Sequence, residues 1–163
     1  MKSQTLNLFI IDDDPIVTMG LRHYLTQRFG SEVNISTFLT GKSALEKVTT
    51  ETNMVILDYT LKGENGNDIL KSIKSISPGT EVVMLSSNTD MEVAINSFRN
   101  GASDYVVKGQ KSWKKISSLV FKAITYPVRI MVQEFGINKY IAMFLLTFAA
   151  MGIGVFFALK FVN

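Results

Sequence analysis

A chain of 163 residues, 47% apolar and 19% charged, has room for one ordinary domain and an appendage, and its composition is globular rather than disordered. It contains no cysteine, which excludes disulfides, thiolate nucleophiles and thiolate metal sites, and its single histidine, His23, leaves no partner for a His-based zinc site. The net charge of +3 is divided unevenly. Residues 1–107 hold nine Lys+Arg against thirteen Asp+Glu, whereas residues 108–163 hold eight against one, so the N-terminal body is acidic and nucleic acid is not an expected partner.

Strand-like and helix-like runs alternate along the first 124 residues. LNLFII (6–11) is apolar enough for a strand covered on both faces. Residues 15–29 follow as a helix with Ile16, Met19, Leu21, Tyr24, Leu25 and Phe29 as its apolar face, and Gly30 is placed as its C-cap. EVNISTF (32–38) reads as a second strand and TGKSALEKV (40–48) as a short helix with Thr40 as N-cap. NMVILD (53–58) is a third strand ending in a carboxylate, and Gly63 and Gly66 break the chain after it. DILKSIKSI (68–76) is a helix with Ile69, Leu70, Ile73 and Ile76 inward. EVVMLSS (81–87) is a fourth strand, MEVAINSFRN (91–100) a helix closed by Gly101, and DYVVK (104–108) a fifth strand. WKKISSLVFKAI (113–124) ends the series as a helix, with Trp113 read as part of its packing face.

Five strand–helix repeats imply a parallel sheet with helices on both faces, and in such open sheets the functional crevice lies at the C-terminal ends of the strands. The residues there are Asp12, Asp13 and Asp14 after the first strand, Asp58 after the third, Ser86 and Ser87 after the fourth, and Lys108 after the fifth. Three adjacent carboxylates repel one another, so some opposing interaction must hold them. Asp14 precedes Pro15 and suits a helix N-cap, a structural role. The remaining carboxylates form an oxygen-only donor set without Cys or His, which suits a hard cation, Mg2+ above all. Asp58 could then act as a nucleophile toward phosphorus, with the metal, Lys108 and the Ser86 hydroxyl neutralising the phosphoryl oxygens.

IIDDDP, VILDYTLKGENG, VVMLSS and GASDYVVK occur in the order and spacing of one family. Residues 5–125 resemble the receiver domain of two-component response regulators, which implies a flavodoxin-like α/β fold with a five-stranded parallel sheet of order 2-1-3-4-5. The resemblance implies that Asp58 is phosphorylated by a histidine kinase or histidine phosphotransfer protein. It implies a Mg2+ site made of Asp13, Asp58 and the main-chain carbonyl of Thr60, with Asp12 assisting through water. Ser86 and Lys108 would contact the phosphoryl group, and Tyr105 would be the switch aromatic that turns inward as Ser86 engages it. The fourth helix, fifth strand and fifth helix would form the signalling face. Such a domain is a phosphoacceptor switch and not an enzyme acting on a separate substrate. An aspartate-nucleophile phosphohydrolase would need a second carboxylate where Thr60 stands. The chain departs from the family twice, at Lys62 and at Gly109, where proline is usual; a trans bond is expected between Lys108 and Gly109 because a cis bond before a non-proline residue is costly.

The C-terminal third has a different character. Residues 140–159, YIAMFLLTFAAMGIGVFFAL, run for twenty positions without a charge, enough at about 1.5 Å per residue to cross a bilayer core. Seven Lys/Arg from Lys108 to Lys139 precede this run and Lys160 follows it, a bias that places the N-terminal body in the cytoplasm. The expected organisation is therefore a receiver domain (1–125), a juxtamembrane linker or amphipathic helix (126–138) in which Pro127 breaks or kinks the fifth helix, and a transmembrane tail anchor (139–161). With no recognisable DNA-binding module, output is expected through protein contacts at the cytoplasmic membrane, with a membrane protein as partner. A homodimer could form through the receiver face or through the small-residue stripe Ala150, Gly154 and Ala158. The competing reading is a degenerate receiver acting as a constitutive membrane scaffold subunit.

Overall fold

The computed structural model describes residues 5–134 together with 143, 147 and 148, and side chains for all of these except 126–134. The chain separates into two units, one of residues Gln4–Ala123 and one of Met1–Ser3 with Ile124–Asn163. In the first unit β1 (Leu6–Ile11), β2 (Val33–Phe38), β3 (Met54–Asp58), β6 (Glu81–Ser86) and β7 (Asp104–Val107) form one parallel sheet of order β2-β1-β3-β6-β7. The intervening numbers belong to β4 (Thr60–Leu61) and β5 (Glu64–Asn65), a two-stranded antiparallel hairpin that the sequence reading took as a plain break at Gly63 and Gly66. The five-stranded parallel sheet is thus as expected, while its numbering differs by this hairpin. Strands of two residues are too short to show any alternation in a sequence.

The central strand β3 is buried along its whole length, as two-sided coverage requires. On one face Ile11, Val55, Leu57, Val82 and Met84 pack with Ala44 of α2 (Gly41–Leu45) and with Ile69, Leu70 and Ile73 of α3 (Gly66–Ile76). By strand alternation Leu8, Ile10, Ile56 and Val83 point to the other face. The buried residues of α1 (Pro15–Phe29) are Thr18, Leu21, Leu25 and Phe29, and those of α5 (Ser112–Glu134) include Ile116 and Val120. These two helices meet where Trp113 packs on Tyr24, with ring centroids 5.7 Å apart, and against Gly20. Trp113 therefore serves the packing role read from the sequence. Between β6 and β7 lies α4 (Met91–Arg99), closed by Gly101 at φ +98°.

Several local readings are corrected by this packing. Ile16 and Met19 do not join the apolar face of α1; they are 80% and 69% exposed, because the helix turns Thr18 inward and ties its hydroxyl to the Pro15 carbonyl at 3.1 Å. Ile76, expected inward, is 45% exposed at the last position of α3. The α2 helix ends at Leu45 rather than 48, though Thr40 caps it as expected, its hydroxyl accepting from the Ser43 N–H. Helical geometry in α5 passes through Pro127 rather than stopping there; proline forfeits one backbone hydrogen bond but does not forbid a helix. The expected transmembrane segment 139–161, the stripe Ala150, Gly154 and Ala158, and residues 135–138 of the linker lie outside the described residues, apart from 143, 147 and 148, which are helical. Among the described residues no helix is long and apolar enough to cross a membrane.

Gly66 lies where the chain turns from the hairpin into α3 and comes close to the end of β3. A Cβ there would lie 2.6 Å from the Asp58 carbonyl oxygen and 2.7 Å from that of Tyr59. Backbone atoms cannot yield as a side-chain end can, so Gly66→Ala is expected to destabilise the domain by about 2 kcal/mol or more, measured by chemical denaturation. Gly79→Ala, where the added methyl meets nothing within 4 Å, is the control and should stay within about 0.5 kcal/mol.

Candidate functional site

The reversal of strand order between β1 and β3 opens a crevice at their C-terminal ends. Asp12 follows β1 and is 1% exposed, Asp58 ends β3 and is 4% exposed, and Asp13 is exposed at the mouth. One carboxylate oxygen from each of the three can be chosen so that all lie within 4.8 Å of one another. Lys108, directly after β7, reaches across: its Nζ donates to Asp12 Oδ2 and Asp58 Oδ2, both at 2.8 Å. The other oxygen of each buried carboxylate is held by backbone. Asp12 Oδ1 accepts from the Asp14 N–H at 3.0 Å, and Asp58 Oδ1 from the Thr60 N–H at 3.3 Å. Asp14 stands apart from this set, its side chain accepting from the Ile16 N–H at 2.8 Å as N-cap of α1.

Ser86 ends β6 beside this group and is buried. Its Oγ accepts from the Asn88 N–H at 3.0 Å, while the Lys108 N–H donates to its main-chain carbonyl at 2.7 Å. Tyr105 is half-buried, and its hydroxyl donates to the Asn88 carbonyl at 3.0 Å. Ser86 and Tyr105, which the sequence reading linked through phosphorylation, are thus joined through the main chain of one residue that it did not single out. Asn88 carries no motif of its own, and the only signal was its place two residues beyond the strand end. Peptide bonds among the described residues are trans, so the Lys108–Gly109 bond meets the expectation set by the missing proline. His23 lies exposed on α1, outside the crevice.

Burial pushes the Asp58 carboxyl above its ordinary value of 3.8, only partly opposed by the hydrogen bond and charge of Lys108, and the neighbouring Asp12 charge pushes the same way. Burial pulls the Lys108 ammonium down, but its hydrogen bonds to Asp12 and Asp58 and their charges outweigh this, and it is held above 10.5. One ammonium therefore under-compensates a crevice with two buried carboxylates and a third at its rim. The donor set is all oxygen and excess in negative charge, which fits a small hard dication. Asp12, Asp13 and Asp58 are the carboxylates that could hold Mg2+, which when bound would supply the positive charge the crevice lacks.

Parallel α/β topology, a strand-end acidic cluster and a lysine that bridges it define a doubly wound domain with a charged site at its switch point. The sequence profile described as response regulator receiver domain matches residues 8–118. This chain belongs to the response regulator receiver domain family and is the receiver domain of a two-component response regulator. The chain is 33% identical over 101 residues to the DNA-binding transcriptional regulator NtrC of Klebsiella pneumoniae, an overlap of 61% of this chain and 21% of that protein. It is 34% identical over 103 residues to the Fimbriae Z protein of Salmonella typhimurium, 63% of this chain and 49% of that one. The chain thus spans from about a fifth to about half of these relatives. Among solved structures, the BeF3-activated DrrB receiver domain superposes with a TM-score of 0.65 at 27% identity, covering 74% of this chain and 97% of that one. Response regulator DrrB of Thermotoga maritima gives 0.63 at 28%, covering 72% and 52%. A CheY-like receiver from Methanospirillum hungatei gives 0.63 at 22% over 73% and 94%, a likeness of fold.

The raised Asp58 value fixes the sign of a linkage effect. Between pH 3.8 and its native value, the unfolded carboxyl has ionised while the native one still holds its proton, so stability falls as pH rises through that window and stays lower above it. In metal-free buffer at neutral pH, Asp58→Asn is therefore expected to raise the unfolding midpoint, by on the order of 1 kcal/mol or a few degrees in Tm. Its advantage should vanish below pH 3.8, where both states of the wild type are protonated. Lys108 works in the opposite sense: its contribution is present below pH 10.5 and is lost as pH rises through its elevated native value. Thermal melts of wild type and variant across pH in EDTA check both signs.

Proposed function

We propose that this protein is a membrane-tethered response regulator whose Asp58 accepts a phosphoryl group from a histidine kinase or histidine phosphotransfer protein, with Mg2+ bound, and which signals by protein–protein contacts. The observation that carries the reading is the Lys108 ammonium spanning the buried carboxylates of Asp12 and Asp58 at 2.8 Å each, at the crevice of a parallel sheet. Receiver domains are phosphoacceptor switches that interact with such donors, and the acidic trio here matches the chemistry that Mg2+ needs.

Asp58 offers the attacking carboxylate oxygen, which forms the new bond to phosphorus as the donor's histidine nitrogen leaves with the electron pair of the broken bond. Asp13, Asp58 and the Thr60 main-chain carbonyl would hold the metal, with Asp12 assisting through water. Lys108 and the Ser86 hydroxyl contact the phosphoryl oxygens, and Tyr105 follows Ser86 through the loop they share at Asn88. Tethering rests on the uncharged run 140–159, preceded by seven Lys/Arg, which supports a cytoplasmic receiver on the inner face of the cytoplasmic membrane. Output then passes to a membrane protein or to a second copy, through the face of α4, β7 and α5 or through Ala150, Gly154 and Ala158. The protein acts as a switch and turns over no separate substrate.

Purified protein with Mg2+ and a small phosphoramidate or acyl phosphate is expected to gain one phosphoryl group, mapped by mass spectrometry to Asp58. Equal labelling of Asp58→Ala would refute the assignment. The full chain expressed in bacteria is expected to stay in the membrane pellet through alkaline extraction, and its release into the supernatant would overturn the tether while leaving the phosphoacceptor reading intact.

A further inference from the structure

The hairpin that follows Asp58 is too short to hold itself. Its ladder consists of Thr60 opposite Asn65 and Leu61 opposite Glu64, closed by Lys62 and by Gly63 at φ +80°. Isolated hairpins are marginal in water even when longer. A cleft of about 300 Å³ lined by Tyr59, Thr60, Leu61, Gly63, Glu64 and Asn65 leaves it incompletely packed. Three ties compensate. Leu61 is buried in the core, and the Asn65 side chain accepts from the Asn67 N–H as N-cap of α3. The third tie is Glu64, whose Oε2 accepts from the Gly41 N–H at 2.6 Å and whose Oε1 accepts from the Lys42 N–H at 3.0 Å.

A partly buried carboxylate taking two N–H groups of a neighbouring segment makes short, charge-assisted bonds that fix its direction. Those donors are themselves held in place. Thr40 caps the same turn, and Gly41 packs so closely on Ile69 of α3 that a Cβ would lie 2.5 Å from that side chain. The Thr60 peptide is the other end of the same connection: its N–H bonds Asp58 Oδ1, and Thr60 pairs with Asn65 next to Glu64. We propose that Glu64 is a positioning residue: clamped by the start of α2, it fixes the hairpin and thereby the Thr60 peptide against Asp58. The clamp joins the acceptor loop to the start of α2. The inference rests on the phosphoacceptor reading for its consequence in metal binding, but its geometric core concerns the metal-free chain alone.

The test uses the full chain in detergent and compares wild type, Glu64→Ala and Asp90→Ala. Asp90→Ala removes an ordinary N-cap, that of α4, and leaves the hairpin tie and its donors in place, so it reports what mere loss of helix stability does. Amide exchange in metal-free buffer is read at Thr60, and Mg2+ affinity is read from the metal-dependent rise in Tm. Glu64→Ala is expected to speed exchange at Thr60 by roughly tenfold and to weaken Mg2+ by a factor of about three to ten, while Asp90→Ala changes neither. Unchanged exchange at Thr60 in Glu64→Ala, or an equal effect in Asp90→Ala, would overturn the positioning role. Failure of the wild type to bind Mg2+ would instead count against the phosphoacceptor reading, with the exchange result still deciding the role of Glu64. A Glu64→Gln variant keeps one acceptor oxygen and should recover part of the Thr60 protection.

Discussion

Two carboxylates buried within reach of one ammonium are the constraint around which this domain is organised. Asp12 and Asp58 come from positions 46 residues apart and are nearly inaccessible, so each must be paired or neutralised. Lys108 bonds both at 2.8 Å but leaves the balance negative, and Asp58 is held above its ordinary ionisation range. Such a site is poised rather than optimised. It gains from any added positive charge, and on the function proposed above a phosphoryl group would meet the Lys108 ammonium and the Ser86 hydroxyl there. The parallel sheet makes this possible because strand C-termini converge at one edge while crossover helices carry the chain away.

The loops after the strands turn this charge balance into a connected structure. After β3 the chain folds into a hairpin tied at Leu61, Glu64 and Asn65, with Gly66 allowing the backbone to pass close to Asp58 and Tyr59. After β6 the Asn88 backbone meets both the Ser86 and Tyr105 hydroxyls. After β7 the Lys108 N–H bonds the Ser86 carbonyl, so the segments bearing the lysine and the serine are joined directly. Short hydrogen-bonded paths therefore lead from Asp58 toward α2 and toward β7.

Much of this was legible in the sequence. Long apolar strands, helices with clear caps and the residues at strand ends could be read because each depends on local pattern: Asp14 before Pro15, Thr40 before a helix, Asp58 at the end of an apolar run. What could not be read depends on encounters between distant segments. The outward turn of Ile16 and Met19 follows from which side of α1 meets the sheet, and apolar character alone does not decide that. The hairpin at 60–65 is too short for any periodicity. Glu64 stands in a glycine-rich loop with no local pattern to single it out, since its donors lie 23 and 22 residues back in the chain.

The sequence by itself determined the class of fold, the acidic strand-end cluster with its lysine and serine, and the division between an acidic body and a basic, apolar C-terminal third. Side-chain type and spacing suffice for these, because burial periodicity and charge are properties of the chain. Only the tertiary structure decided that Lys108 bridges Asp12 and Asp58 at once, that Asn88 joins Ser86 to Tyr105, and that Glu64 reaches the start of α2. Those are distances between groups on separate strands and loops, set by sheet order and crossover geometry, and no local pattern encodes them.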